Sequence, residues 1–142
     1  MGIYKELVIL IAEDNNGHAE LIQLGLIESG VCNRMIRFTN GLEVWEFLEG
    51  IKTDISSNAI NYLLLLDLNM PIMDGIEVLQ RLKSDDLLKE LPVVILTTTD
   101  DPKEIKECYK WGCNIYVTKP VDFTKFTETL NRLGLFLQIV KV

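Results

Sequence analysis

Glu13, Asp14, Asp67, Thr97 and Lys119 each stand at the end of an apolar run, in "LVILIAED", "LLLLD", "VVILT" and "YVTK". A continuous run of aliphatic residues is what a strand buried on both sheet faces looks like. In a parallel sheet all strand C-termini share one edge, which is where open α/β folds bind their ligands. Three acids, a hydroxyl and an amine would then converge. At ~4 Å two unit charges repel by about 1 kcal/mol in water and about 4 kcal/mol near a protein surface. A hard divalent cation offsets this, and Mg²⁺ takes a few carboxylate oxygens while leaving room for water and phosphate. An aspartate beside a cation and a lysine is a nucleophile suited to phosphorus. Attack by Asp67 would give an acyl phosphate, with the metal on one oxygen, Lys119 on another and the Thr97 hydroxyl on a third. Such positioning with charge neutralisation is how phosphoryl transfer is usually catalysed.

The elements that must position these groups alternate along the chain. Apolar runs predict strands at Leu7 to Ala12, Arg34 to Phe38, Tyr62 to Leu66, Pro92 to Thr97 and Asn114 to Thr118. Between them, helical stripes are formed by Ala19, Ile22 and Leu26; by Val44, Phe47, Leu48 and Ile51; by Val78, Leu79 and Leu82; and by Ile105, Cys108 and Tyr109. A last stripe has Phe123, Phe126, Leu130 and Leu133. Gly30 suits a helix stop, and Asp101-Pro102 suits an N-cap and first turn. The polar stretch "KTDISSNAIN" reads as a loop. Repeated strand–helix alternation implies a parallel sheet covered on both faces, in one domain without internal repeats.

The totals restrict the function further. A chain of 142 residues can bury a core without disulfides. Its net charge of −7 lacks the footprint for nucleic acid and is unsuited to an anionic membrane. Cys32, Cys108 and Cys113 are odd in number and form no C-x-x-C, so free thiols in a reducing cytosol are expected. The N-terminal apolar run is too short for a signal peptide or a membrane span.

"AEDN", "LLLLDLNMPIMDG", "PVVILTTT" and "YVTKP", in that order and separated by 53, 30 and 22 residues from Asp14 to Asp67 to Thr97 to Lys119, resemble the receiver domain of two-component response regulators. The resemblance covers essentially the whole chain. It implies a flavodoxin-like three-layer sandwich, with a five-stranded parallel sheet of order 2-1-3-4-5 and five helices. Asp67 would be the phosphoacceptor, loaded from a phosphohistidine on a histidine kinase or phosphotransfer protein. Glu13, Asp14, Asp67 and the Asn69 backbone carbonyl would hold Mg²⁺. Thr97 and Lys119 would contact the phosphoryl oxygens, Thr97 and Tyr116 would form the switch, and the Lys119–Pro120 bond would be cis. Residues 1–134 would be the receiver, and 135–142 an apolar C-terminal extension with no output domain. The polar loop and greasy tail are similar to those of small receivers serving phytochrome kinases. The tail also suggests a homodimer, through the helix before the fifth strand, that strand and the last helix, because an apolar patch of that size invites association. Such a protein is cytoplasmic, and is a phosphoacceptor that assists its own phosphorylation and dephosphorylation, not an enzyme.

Other residues and functions compete with this reading. Thr98 stands where the family favours a small residue and would narrow the path of attacking water. Asp100 and Asp101 read as helix caps, and His18 as a solvated or packed histidine. Trp45, Phe47 and Trp111 read as core or rim. An aspartyl-phosphate-forming hydrolase would need a general acid two residues after its nucleophile, where this chain has Asn69. A flavin carrier would need a Ser/Thr/Gly-rich phosphate loop after the first strand, where this chain has Glu13 and Asp14. A phosphorylation-independent scaffold would signal unchanged with Asp67→Asn.

Overall fold

The computed structural model describes residues 6–57 and 60–139. The strands are β1 (Glu6–Ala12), β2 (Met35–Phe38), β3 (Ile60–Leu66), β4 (Val93–Thr97) and β5 (Ile115–Thr118). The helices are α1 (Asn16–Glu28), α2 (Gly41–Gly50), α3 (Lys52–Ser57), α4 (Gly75–Lys83), α5 (Pro102–Trp111) and α6 (Phe123–Ile139). All strands pair in parallel, in the order β2-β1-β3-β4-β5. This is the expected topology and layer arrangement.

The leucine run is explained by burial on both faces. Leu64 and Leu66 enter one core with Val8, Leu10, Val93 and Ile95, beneath α2, α4 and α5. Leu63 and Leu65 enter the other with Ile9, Ile11, Val94 and Leu96, beneath α1 and α6. A strand alternates sides residue by residue, so a sheet covered twice has no polar face to offer. Register then sets the functional edge. Ala12 pairs with Leu66 and Thr97 with Thr118, so the residues that follow emerge side by side.

Helix starts follow local chemistry. Asn15, not Glu13 or Asp14, caps α1 by accepting from the His18 N–H at 2.9 Å. Asp74 caps α4 and Asp101 caps α5, the latter with Pro102 in the first turn.

The structure departs from the sequence expectation in two places. A short sixth helix, α3, occupies the first part of the stretch read as a loop. Ile51 is buried, and Ile55 packs against the same core one helical turn later, with its N–H bonded to Ile51 O at 3.0 Å. One i, i+4 apolar pair is too little for periodicity to register, but enough when a core lies beneath it. Lys119–Pro120 is trans, since no cis peptide occurs among the described residues. The trans isomer is the default by about 0.5–1 kcal/mol at X–Pro bonds. No helix among the described residues is long and apolar enough to cross a membrane.

The loop after β3 carries a strained residue. Ile72 has φ of 69° and is 76% exposed. A β-branched side chain in the left-handed region costs roughly 1–2 kcal/mol, and this one recovers little by burial. Ile72→Asn is therefore expected to stabilise the fold by about 1 kcal/mol. A urea unfolding midpoint unchanged or lowered in this variant would contradict the assignment of strain.

Candidate functional site

The C-terminal edge of the sheet holds Glu13 and Asp14 after β1, Asp67 after β3, Thr97 at the end of β4 and Lys119 after β5. Every residue that the strand-end reading singled out is brought together. Carboxylate oxygens of Glu13, Asp14 and Asp67 lie within 4.8 Å of one another. Lys119 Nζ bonds Asp67 Oδ2 at 2.9 Å and also pairs with Glu13 Oε1. The Thr97 hydroxyl donates to Asp67 Oδ1 at 2.8 Å, and the Asn69 N–H to the same oxygen at 3.0 Å. Glu13, Asp67, Thr97 and Lys119 are buried, whereas Asp14 and Asn69 face outward. The pocket thus has a dry floor and an open acidic lip.

Electrostatics separate the acids. Burial pushes the Glu13 carboxyl up to about 7, against the pull of Lys119. At Asp67 burial also opposes the charge. There the Lys119 ammonium, the Asn69 N–H and the Thr97 hydroxyl win, and hold the carboxyl below its ordinary value. Asp67 is therefore an anion at neutral pH, as a nucleophile must be. The donor set is all hard oxygen, which suits Mg²⁺ or Mn²⁺ and not a thiophilic metal. The residues present fit such a cation, which would add positive charge where three carboxyls share one ammonium.

A pH dependence follows. Because the folded-state value for Glu13 lies above its unfolded value, the cation-free fold gains stability as pH falls through about 7. A cation seated on these acids must displace that proton. Divalent affinity is expected to weaken below about pH 7, approaching tenfold per pH unit. Mn²⁺ titrations followed by electron paramagnetic resonance at about pH 8 and about pH 6 test this, and equal affinities would contradict it.

Two neighbours were not anticipated. Arg37 on β2 reaches across to the β1–α1 loop. Its Nε and Nη2 donate to Glu13 O at 3.0 and 2.8 Å, Nη2 to Asp14 O at 3.2 Å, and Nη1 to Asn16 Oδ1 at 2.8 Å. One guanidinium thereby fixes the backbone that presents both acids. The only available signal was an arginine within a short apolar strand. His18, set aside as solvated or packed, lies with Nδ1 3.3 Å from Lys119 Nζ. Tyr116 is partly buried against the core, and its hydroxyl donates to Thr99 O at 2.6 Å. The Asn69 side chain donates to Thr99 Oγ1 at 3.2 Å, joining the loops after β3 and β4.

Residues 9–131 match the response regulator receiver domain family. The chain belongs to that family. This receiver domain is 36% identical over 112 residues to response regulator Rcp1 of Synechocystis sp., covering 79% of this chain and 76% of Rcp1. A crystal structure of a response regulator receiver domain from Rhodospirillum rubrum superposes with a TM-score of 0.88 at 42% identity, over 95% of this chain and 96% of that one. The phosphorylated cyanobacterial phytochrome response regulator RcpA superposes with a TM-score of 0.81 at 32% identity, covering 92% and 93% of the two chains. The Mn²⁺-bound form of Rcp1 superposes with a TM-score of 0.81 at 28% identity, over 95% and 96%. The receiver domain is thus a response regulator of two-component signalling, with an acidic pocket fit for a divalent cation.

Proposed function

We propose that this receiver domain takes a phosphoryl group from a phosphohistidine of a histidine kinase or phosphotransfer protein onto Asp67. An Asp67 carboxylate oxygen attacks phosphorus, the P–N bond to the donor imidazole breaks, and that imidazole leaves carrying the electron pair. The observation that carries the reading is Asp67 itself: a buried, ionised carboxylate held between Lys119 and Thr97 at the mouth of an acid cluster. Glu13, Asp14, Asp67 and the Asn69 carbonyl would hold Mg²⁺. When bound, that ion neutralises charge gathering on the phosphoryl oxygens. Lys119 and the Thr97 hydroxyl, already bonded to the Asp67 oxygens, bind and orient the incoming group. Tyr116, tied to the loop after Thr97 through Thr99 O, carries the change outward as the switch aromatic.

The domain acts as a stoichiometric phosphoacceptor in the cytoplasm, and signals by phosphorylation-dependent protein contact or by relay. Its likeness to Rcp1 and RcpA supports a phytochrome kinase as the donor. A homodimer through α5, β5, α6 and the 135–142 extension is supported by exposed Tyr109, Trp111 and Leu135. α6 continues through residue 135 to Ile139, and residues 140–142 lie outside the described residues. The hydrolase alternative is disfavoured by Asn69, whose exposed amide offers no proton for a leaving group.

Acetyl phosphate with Mg²⁺, read by intact mass, tests the proposal. One added phosphoryl group is expected in the native protein, and none in Asp67→Asn or with EDTA. A stable adduct on another residue would refute it. Size-exclusion runs with and without beryllofluoride test the dimer.

A further inference from the structure

Lys119 carries three N–H donors and no acceptor. It is 3% exposed, so its ammonium must find its partners within the protein. Glu13 Oε1 and Asp67 Oδ2 are two of them, and His18 Nδ1, at 3.3 Å, is the third. We propose that His18 is a positioning residue for Lys119, supplying through Nδ1 the neutral acceptor that keeps the ammonium aimed into the site.

The geometry constrains the imidazole as well. An ammonium can only donate, so Nδ1 must present its lone pair and the ring proton must sit on Nε2. The residue is held at its backbone and on one face of its ring. Its backbone N–H bonds Asn15 Oδ1 at 2.9 Å, and its face stacks on Phe126 of α6 with centroids 5.9 Å apart and planes 29° apart. The charged groups that face it are Lys119 after β5, Asp67 after β3 and Asp14 after β1, while α6 contributes only the uncharged Phe126. Burial and then Lys119 depress its basicity, and Asp67 and Asp14 recover only part, so the ring is neutral at neutral pH.

The role of His18 rests on the phosphoacceptor reading above. When Asp67 becomes an acyl phosphate, and were Glu13 to help hold a divalent cation, both carboxylate partners of Lys119 would change. His18 is the acceptor that does not change, and it keeps Lys119 directed at the phosphoryl group. Without it, one N–H of a buried ammonium loses its partner and the side chain is free to turn away.

Two substitutions separate this role from packing. His18→Phe keeps an aromatic ring for Phe126 and removes the acceptor. His18→Asn gives up the ring but places an amide oxygen where Nδ1 stands. Phosphorylation by acetyl phosphate and Mg²⁺ is expected to slow about tenfold or more in His18→Phe, the effect of losing a charge-assisted hydrogen bond. It is expected to recover in His18→Asn. Equal rates in His18→Phe and the native protein, or a failure confined to His18→Asn, would overturn the inference.

A second measurement does not depend on phosphorylation. His18 is the chain's sole histidine, so its long-range ¹H–¹⁵N correlations are assigned without ambiguity. They are expected to show the Nε2–H tautomer, and a titration below about 6.5 that moves upward in Lys119→Met. An Nδ1–H tautomer, or a titration indifferent to Lys119→Met, would sink the proposal. If the native protein takes no phosphoryl group, the function fails while these spectra still decide the His18–Lys119 contact.

Discussion

Lys119→Met is expected to cost about 3–5 kcal/mol of folding stability at about pH 8, and far less at about pH 5. Methionine nearly preserves the volume, so a cavity contributes little. What is lost is the cation bonded to both Glu13 and Asp67, two carboxyls that are themselves buried. Attraction to Lys119 helps to outweigh the expense of drying Asp67 and offsets part of it at Glu13, and without it each is a charge stranded away from water. The sign of the pH effect follows. With Lys119 gone, Asp67 loses the ammonium that holds its pKa down and Glu13, already raised to about 7, is pushed further up, so protons bind the folded protein more tightly and stability returns as pH falls. Millimolar Mg²⁺ should restore part of it at the higher pH by taking the place of the ammonium charge. Urea unfolding at the two pH values is the measurement. A loss independent of pH would mean that packing and not charge dominates at this position.

The second large effect is expected from Gly75→Ala. Gly75 begins α4, its N–H bonds Leu68 O at 2.9 Å, and the chain passes against the strand end that carries Asp67. A Cβ here would lie 2.2 Å from Asp67 O, 2.7 Å from Leu68 Cα and 2.9 Å from Asp67 C. All three are backbone atoms and none can rotate away. Alanine favours a helix by up to about 1 kcal/mol over glycine, but overpacking against rigid backbone costs more, and a net loss of about 2–3 kcal/mol is expected. Because two of the three displaced atoms belong to Asp67, phosphorylation by acetyl phosphate should slow as well. Gly50→Ala is the control: at the end of α2 a Cβ meets nothing within 4 Å, so only the helix preference remains. If both substitutions have the same effect on the denaturation midpoint, the close approach of α4 to Asp67 is not what requires the glycine.

Much of this was legible in one dimension because sheets impose simple rules. Four leucines before Asp67 read as a strand with no wet face, and strands alternating with helical stripes argue a parallel sheet. From those two facts Glu13, Asp14, Thr97 and Lys119 fall beside Asp67 before any distance is known. Asp101-Pro102 announced α5 because capping is a matter of adjacent residues. The failures share a cause. α3 forms because Ile55 meets a core that its neighbours in sequence do not reveal. Arg37 matters because β2 lies against β1, which brings its guanidinium to two carbonyls more than twenty positions away. His18 was set aside as a lone histidine because only the return of Lys119 after β5 gives its Nδ1 a partner.

By itself the sequence determined the parallel sheet, its functional edge and the residue types gathered there, since strand periodicity and burial act along the chain. The tertiary structure alone decided which atoms bond which. It set the three acceptors around Lys119, the burial that raises the Glu13 pKa, the guanidinium beneath the acid loop and the left-handed backbone at Ile72. Those depend on side chains meeting across distant segments within a few tenths of an ångström. Hydrogen bonds and desolvation change steeply over that distance, whereas the pattern of apolar residues does not register it.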